Sequence, residues 1–244
     1  MSLTPLLPPE RAAILRDSLA VGVATGAYGV SFGAIGVASG LNPAQTCALS
    51  LLVFTGASQF ALVGVIASGG APMSGAATAL LLGSRNTLYG LRLAPLLGWS
   101  GWRRAAAAHL LIDESTAMAV NRDTRTAART AFLGTGLAVF SLWNVATLGG
   151  ALAGEALGDP RTYGLDAAVG AAFLALLWPR LDDRFARIVA LAAVVLALGL
   201  VPVTAAGVPV LAAAGVALLA GVLTARRDPG SRSESATGSA GESR

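Results

Sequence analysis

Long apolar segments separated by short polar stretches run along almost the whole chain. They cover residues 18–40, 44–68, 73–98, 105–120, 130–153, 166–178, 187–201 and 209–224. An α-helix needs about 20 apolar residues to cross roughly 30 Å of hydrocarbon, and five of the eight segments are that long or nearly so. The pattern predicts an all-α polytopic transmembrane bundle of seven or eight membrane segments. The shorter ones cross with little tilt, break, or dip in and return.

Polar ends set the limits of this membrane domain. Residues 1–17 form a short N-terminus rich in proline, and the apolar run that follows is too long for the core of a cleavable signal. From Asp228 the composition shifts to serine, glycine and glutamate, which predicts a disordered tail over 228–244. The transmembrane domain is therefore expected to span 18–227.

The composition excludes several classes of protein. Hydrophobic residues make up 55% of the 244 residues and charged residues 12%, against roughly 25% charged in an average soluble domain. We therefore expect a lipid bilayer around the chain, and neither a soluble enzyme nor a nucleic-acid-binding protein. The chain has no lysine, and so no Walker A phosphate loop. One cysteine and one histidine leave no disulfide and no multi-histidine metal site, so no cofactor is predicted.

Arginine positions predict the orientation, because cytoplasmic loops of membrane proteins carry an excess of positive charge. If all eight segments cross from a cytoplasmic N-terminus, twelve of the 17 arginines face the cytoplasm. Arg103, Arg104 and Arg161 then lie outside, and Arg85 and Arg92 lie within a span. If segment 105–120 does not cross, the later arginines move to the outside and the bias is lost. This favours eight crossings with both termini in the cytoplasm.

Six glycines of the first segment recur with a period of 3.5 residues and share one helix face. This smooth face is typical of a packing seam, and it also suits a backbone that is exposed to substrate. Gly29-Val-Ser31-Phe-Gly33 matches the G-x-S-x-G pattern of hydrolases, but that motif requires a strand-turn-helix context that this apolar run does not offer. We therefore predict no enzyme. The six are Gly22, Gly26, Gly29, Gly33, Gly36 and Gly40.

The string FTGASQF at residues 54–60 places polar side chains within the second segment. Thr55, Ser58 and Gln59 share one face of a helix. Serine and threonine satisfy their hydroxyls on a preceding carbonyl, whereas the glutamine amide needs a partner or a wet cavity. Two interpretations stay open: a hydrogen bond between helices, or the wall of a binding site.

The third segment carries SRNTLYGLRLAP at residues 84–95, which puts Arg85 near mid-bilayer. A charge there costs about 2.5–3.5 kcal/mol on insertion scales, so some interaction must offset it. Arg85, Tyr89 and Arg92 share one face, with Asn86 beside Arg85. Arg85 either pairs with a buried carboxylate or binds a substrate carboxylate through its guanidinium fork.

The fourth segment contains His109, Asp113 and Glu114. If it crosses the bilayer, two acids lie near its middle, where a desolvated carboxylate loads and releases protons more readily near neutral pH. The alternative is an amphipathic surface helix with both acids in water.

These motifs together resemble the AzlC family, the large subunits of bacterial branched-chain amino acid exporters. The resemblance follows the order VFTGASQFALVG, SRNTLYGLRLAP, IDESTA and YGLDAAVGAAFLALL, over residues 18–200, and GASQF is its most specific element. At 84–87 this chain reads Ser-Arg-Asn-Thr where many members read Asn-Leu-Arg-His. The resemblance implies export of leucine, isoleucine, valine or similar amino acids across the inner membrane. It also implies a small hydrophobic AzlD-like partner subunit.

The combined hypothesis is a secondary transporter driven by proton exchange, because the chain has no ATP site. A non-transporting scaffold subunit and a channel stay open as alternatives. Asp113 or Glu114 is expected to carry the proton. The residues expected to contact the amino-acid substrate are Gly29, Ser31, Gly33, Thr55, Ser58, Gln59, Arg85, Asn86 and Tyr89.

Overall fold

The computed structural model describes residues 7–157, 174, 177–178, 181–204 and 208–227. All elements within these ranges are helical, which confirms the all-α class. The predicted tail at 228–244 and most of segment 166–178 lie outside them. The helices are α1 Pro8–Gly26, α2 Tyr28–Ala38, α3 Pro43–Leu52, α4 Ala57–Ala67, α5 Pro72–Gly83, α6 Arg85–Leu97, α7 Gly101–His109, α8 Asp113–Val120, α9 Arg125–Leu157, α10 Arg184–Leu200 and α11 Val208–Arg227.

The chain divides into two compact units, residues 1–176 and 177–244. The second unit contains α10 and α11, which pack against each other. Asp183 caps α10, because its carboxylate accepts a hydrogen bond from the Ala186 amide at 2.7 Å. The first unit contains α1 to α9 and all the polar motifs described above.

Two long helical stretches form the spine of the first unit. Residues 8–38, which are α1 and α2 joined at Ala27, and the 33-residue α9 are long and apolar enough to cross a membrane. They run parallel, since Ile14 clusters with Ala127 and Ala131, and Thr135 donates a hydrogen bond to Ser18 at 3.0 Å.

Glycines let these two stretches approach closely along their length. A Cβ at Gly22 would lie 2.7 Å from the Ala138 side chain, and one at Gly26 would lie 2.6 Å from that of Leu142. α9 contributes its own glycine, since a Cβ at Gly150 would strike the Val30 carbonyl. The glycine face of the first segment is therefore a packing seam against α9 from Gly22 to Gly33, whereas Gly36 faces Thr46 of the following helix and Gly40 faces open space.

The second apolar segment is a V-shaped hairpin instead of one straight helix. α3 begins beside the end of α2, where Thr46 fills the space above Gly36. It descends to a non-helical stretch at 53–56, and α4 then returns, with Phe60 against Phe32 and Trp143. Both ends of the α3–α4 hairpin therefore lie toward the C-terminal end of α9.

The fourth segment forms a second hairpin, which enters from the opposite end. α7 starts next to Trp99, whose ring lies 5.9 Å from that of Phe132 near the start of α9. It descends to a break at 110–112, where Leu110 covers Gly136, and α8 then returns to the loop that leads into α9. Both ends of the α7–α8 hairpin lie toward the N-terminal end of α9.

α5 and α6 connect the two ends of the unit. They form a helix that is distorted at Ser84, whose backbone stays in the right-handed helical region. α5 packs antiparallel to α4, with Gly75 against Leu62, and α6 ends beside α9, where Arg129 donates to the Leu97 carbonyl at 2.7 Å. Seven or eight full crossings are therefore not confirmed, and the prediction that short segments break holds for α7–α8.

Candidate functional site

Three polar motifs lie where helices are interrupted, and these interruptions meet halfway along α9. The string 54–60 spans the tip of the α3–α4 hairpin, residues 84–86 span the α5–α6 distortion, and residues 110–114 span the tip of the α7–α8 hairpin. The two tips touch, because the rings of Phe54 and His109 lie 6.3 Å apart. We call this region the junction.

The tip of the α3–α4 hairpin is built by Gly56 and Gln59. Gly56 has φ 65° and ψ −94°, a conformation that residues with a side chain rarely adopt. Gln59 is fully buried. Its Oε1 accepts from the Gly56 amide at 3.0 Å, and its Nε2 points at the Leu49 carbonyl at 3.5 Å. The amide of Gln59 therefore links the two halves of the hairpin, and both ends of the amide are engaged within the protein.

Ser115 plays the corresponding part at the α7–α8 tip. Its fully buried hydroxyl donates to the Leu110 carbonyl at 2.7 Å, and it accepts from the Ile112 amide at 3.1 Å. A side chain three residues into each half-helix thus satisfies the backbone of the break in front of it, which is what an interrupted helix requires inside a low-dielectric environment.

An ion pair joins the distorted α5–α6 helix to the start of α8. Arg85 Nη1 lies 3.0 Å from Asp113 Oδ2, and the two side chains are 26% and 28% exposed. Asn86 strengthens the same connection, because its Nδ2 donates to the Leu111 carbonyl at 3.1 Å. One positive and one negative charge therefore lie side by side at the junction. This pair is complementary to the two charges of a zwitterion.

Several hydroxyls and other polar atoms at the junction are buried and have no hydrogen-bond partner within the described chain. These are Thr55 Oγ1, Ser58 Oγ, Thr116 Oγ1, Trp143 Nε1 and Asn144 Oδ1. Buried polar atoms are nearly always satisfied, so a cluster of exceptions is typical of a place where water or a ligand supplies the missing bonds. The aromatic side chains of Phe32, Phe54, Phe60 and Trp143 lie beside them.

The remaining candidates occupy different surroundings. Gly29 and Gly33 face the backbone of α9, so no space is left beside them for a ligand, and Ser31 is exposed on another face of α2. Tyr89 lies one turn beyond Arg85 and Glu114 lies next to Asp113, and both are partly buried. The junction therefore contains the candidates of the second segment together with Arg85, Asn86, Asp113 and Glu114, whereas Gly29, Ser31, Gly33 and Tyr89 lie outside it.

Sequence analysis missed Trp143 as a candidate. Its ring is 4% exposed, and it packs against Phe32 and Phe60 with an indole N–H that has no acceptor within the described chain. A single tryptophan within the apolar stretch 130–153 forms no spacing pattern that would mark it as a site residue. Only the packing of α9 against both α2 and α4 brings Trp143 to the junction.

Comparison with known proteins identifies the family of the chain. No curated protein and no solved structure gives a significant match. A model of the AzlC protein family, which is linked to branched-chain amino acid transport, matches residues 20–157 and so covers more than half of the chain. This stretch contains both hairpins and all three motifs of the junction. The match confirms the resemblance carried by those motifs, and the chain belongs to the AzlC family.

Proposed function

We propose that this chain exports branched-chain and similar apolar amino acids across the bacterial inner membrane by proton antiport, as the large subunit of a two-component exporter. The observation that carries the proposal is the Arg85–Asp113 ion pair at the junction of three helix interruptions. Membership in a family linked to branched-chain amino acid transport supports the substrate class.

An opposite-charge pair suits a zwitterion. When an amino acid enters the junction, its carboxylate takes the place of Asp113 beside Arg85, and its ammonium group takes the place of Arg85 beside Asp113. Charge-assisted hydrogen bonds replace the protein's own ion pair, so neither Arg85 nor Asp113 is left uncompensated in a low-dielectric interior. The neighbouring aromatic rings offer an apolar surface to the substrate side chain.

The same pair explains exchange for a proton. Asp113 binds either a proton or the ammonium group, since a protonated carboxyl no longer attracts the cation. Mutual exclusion at one carboxylate is the condition for antiport. Each elementary charge that enters the cell is worth about 2.3 kcal/mol per 100 mV, enough to export against a concentration ratio of about fifty.

The efflux test uses proteoliposomes that contain the full chain with or without a small hydrophobic AzlD-like subunit. We expect labelled leucine to leave the vesicles when an opposing proton gradient is imposed, and we expect the rate to depend on the small subunit. Leucine efflux at the same rate with and without the proton gradient would contradict antiport. A chain that moves no leucine in either preparation would instead support a scaffold role.

We further propose that both hairpins are re-entrant and that the N-terminal end of α9 faces the cytoplasm. Residues 18–84 contain no charged side chain, so the loops at 39–42 and 68–71 carry no arginine. The opposite end carries eight arginines, namely Arg11, Arg16, Arg92, Arg103, Arg104, Arg122, Arg125 and Arg129. This asymmetry supports a cytoplasmic N-terminus. It exceeds that of the eight-crossing arrangement, which puts five of these eight arginines inside and Arg103 and Arg104 outside.

Single cysteines distinguish the two topologies. In a Cys47→Ser background, a membrane-impermeant maleimide applied to intact cells is expected to label Ser68→Cys and to spare Ser100→Cys. Eight crossings require the reverse, because the loop at 68–71 would then lie inside and the loop at 98–101 outside. Labelling of both sites after permeabilisation controls for reactivity.

A further inference from the structure

We infer that the start of α4 is a carboxylate subsite, in which the Ser58 hydroxyl and the first N–H groups of the helix bind the carboxylate of the transported amino acid together with Arg85. The inference rests on the proposed function and adds a second anchor to it.

The end of α4 that meets the junction carries an uncompensated positive dipole. The Gln59 and Phe60 amides bond to the Gly56 carbonyl at 3.0 and 3.3 Å, whereas the amides of Ala57 and Ser58 precede the first bonds of the helix. The first turn contains no acidic residue. Such an end is equivalent to about half a positive charge, which favours an anion.

Ser58 is the second observation that points to a ligand. Its side chain is 2% exposed, and its Oγ has no hydrogen-bond partner among the described residues. Helical hydroxyls in this chain usually donate to the carbonyl four residues earlier, as Ser39, Thr78 and Thr130 do at 2.7 to 2.9 Å. Ser58 lacks that option, since the residue four positions earlier, Phe54, lies within the non-helical stretch 53–56.

The free hydroxyl faces the rest of the junction. Ser58 Oγ lies 3.3 Å from the position that a Cβ on Gly83 would occupy, and Gly83 stands two residues before Arg85. A glycine at that position keeps the space between α4 and the distorted α5–α6 helix open. Thr55 Oγ1, also buried and without a partner in the described part of the chain, belongs to the same non-helical tip. An anion bound here would lie beside the distorted α5–α6 helix, two residues from the position of Arg85.

The test compares L-leucine with 3-methylbutylamine, which is leucine without its carboxylate, as competitors of labelled leucine counterflow by the full chain in proteoliposomes. We expect Ser58→Ala to lower the apparent affinity for leucine about tenfold, the usual effect of one hydrogen bond to a charged group. The apparent affinity for the amine should stay unchanged. Ser58→Thr, which keeps the hydroxyl, should retain the wild-type affinity for leucine. Ser68→Ala is the matched control, because Ser68 already donates to the carbonyls of Gly64 and Val65.

Three outcomes overturn the subsite. If Ser58→Ala lowers the affinities for leucine and for the amine equally, Ser58 has a structural role. Unchanged leucine affinity in Ser58→Ala would remove the contact. Replacing chloride by gluconate could lower the affinity for leucine as Ser58→Ala does and leave the preference for leucine over the amine unchanged. The anion bound at the start of α4 would then be inorganic. A wild-type chain that does not exchange leucine fails at the proposed function itself, and the subsite falls with it.

Discussion

Asp113→Asn is expected to abolish leucine export driven by a proton gradient while leucine counterflow survives. Asparagine has the shape of aspartate and accepts a hydrogen bond from the substrate ammonium group, but it takes up no proton. Because a hydrogen bond to a charged group is roughly twice as strong as a neutral one, we expect the apparent affinity for leucine to fall about tenfold in counterflow. The measurement is labelled leucine flux in proteoliposomes, with and without a pH gradient.

A surface ion pair provides the matched control for this variant. Asp17 pairs with Arg16 at 3.3 Å on the outer face of α1, and their side chains are 50% and 80% exposed. Asp17→Asn should leave both assays unchanged, as exposed pairs contribute little. Gradient-driven export by Asp113→Asn would show that Asp113 does not carry the proton, and Glu114→Gln would then be the variant to test.

The sequence predicted the class of fold because a helix that lies in lipid must be apolar along its length. The path of the chain was harder to predict, since a straight crossing and a re-entrant hairpin use the same composition. If the fourth segment does not cross, the later arginines change sides and the arginine bias is lost, as the sequence analysis concluded. In the re-entrant topology that we propose, the second segment also turns back, so the later segments keep their sides and Arg103 and Arg104 lie at the arginine-rich end.

The site was predicted in part for a similar reason. Arg85 and Asp113 attract attention in any apolar segment, because an isolated charge needs a partner there, and the structure pairs them. Gln59 was expected to contact the substrate, but both ends of its side-chain amide bond to the backbone of the hairpin that it stabilises. The length of the fourth segment indicated a break, but the sequence did not identify the residues at which the second segment is interrupted. That interruption decides which polar groups of GASQF are satisfied within the protein and which are left for a ligand.

The largest effect on stability is expected from Gly150→Ala. The added Cβ would strike the Val30 carbonyl, with the carbonyl carbon at 2.8 Å, and a backbone group cannot rotate away as a side chain does. The two long parallel helices must then separate, and overpacking of this kind costs about 1–3 kcal/mol. For a chain of this length we expect the midpoint of thermal unfolding in detergent to fall by about 5–10 °C.

The neighbouring glycine isolates the cause. A Cβ on Gly149 meets no atom within 4 Å, so Gly149→Ala changes the same residue type on the same turn of α9 without touching α2. Alanine favours helix over glycine by about 1 kcal/mol, and the Gly149 variant should therefore unfold at the wild-type temperature or slightly above it. Equal destabilisation by both substitutions would mean that flexibility within α9, and not close approach to α2, is what the glycines provide. A drop confined to Gly150→Ala would mean that close contact between the backbones of the two long helical stretches holds them together, and that the two hairpins are positioned against this pair.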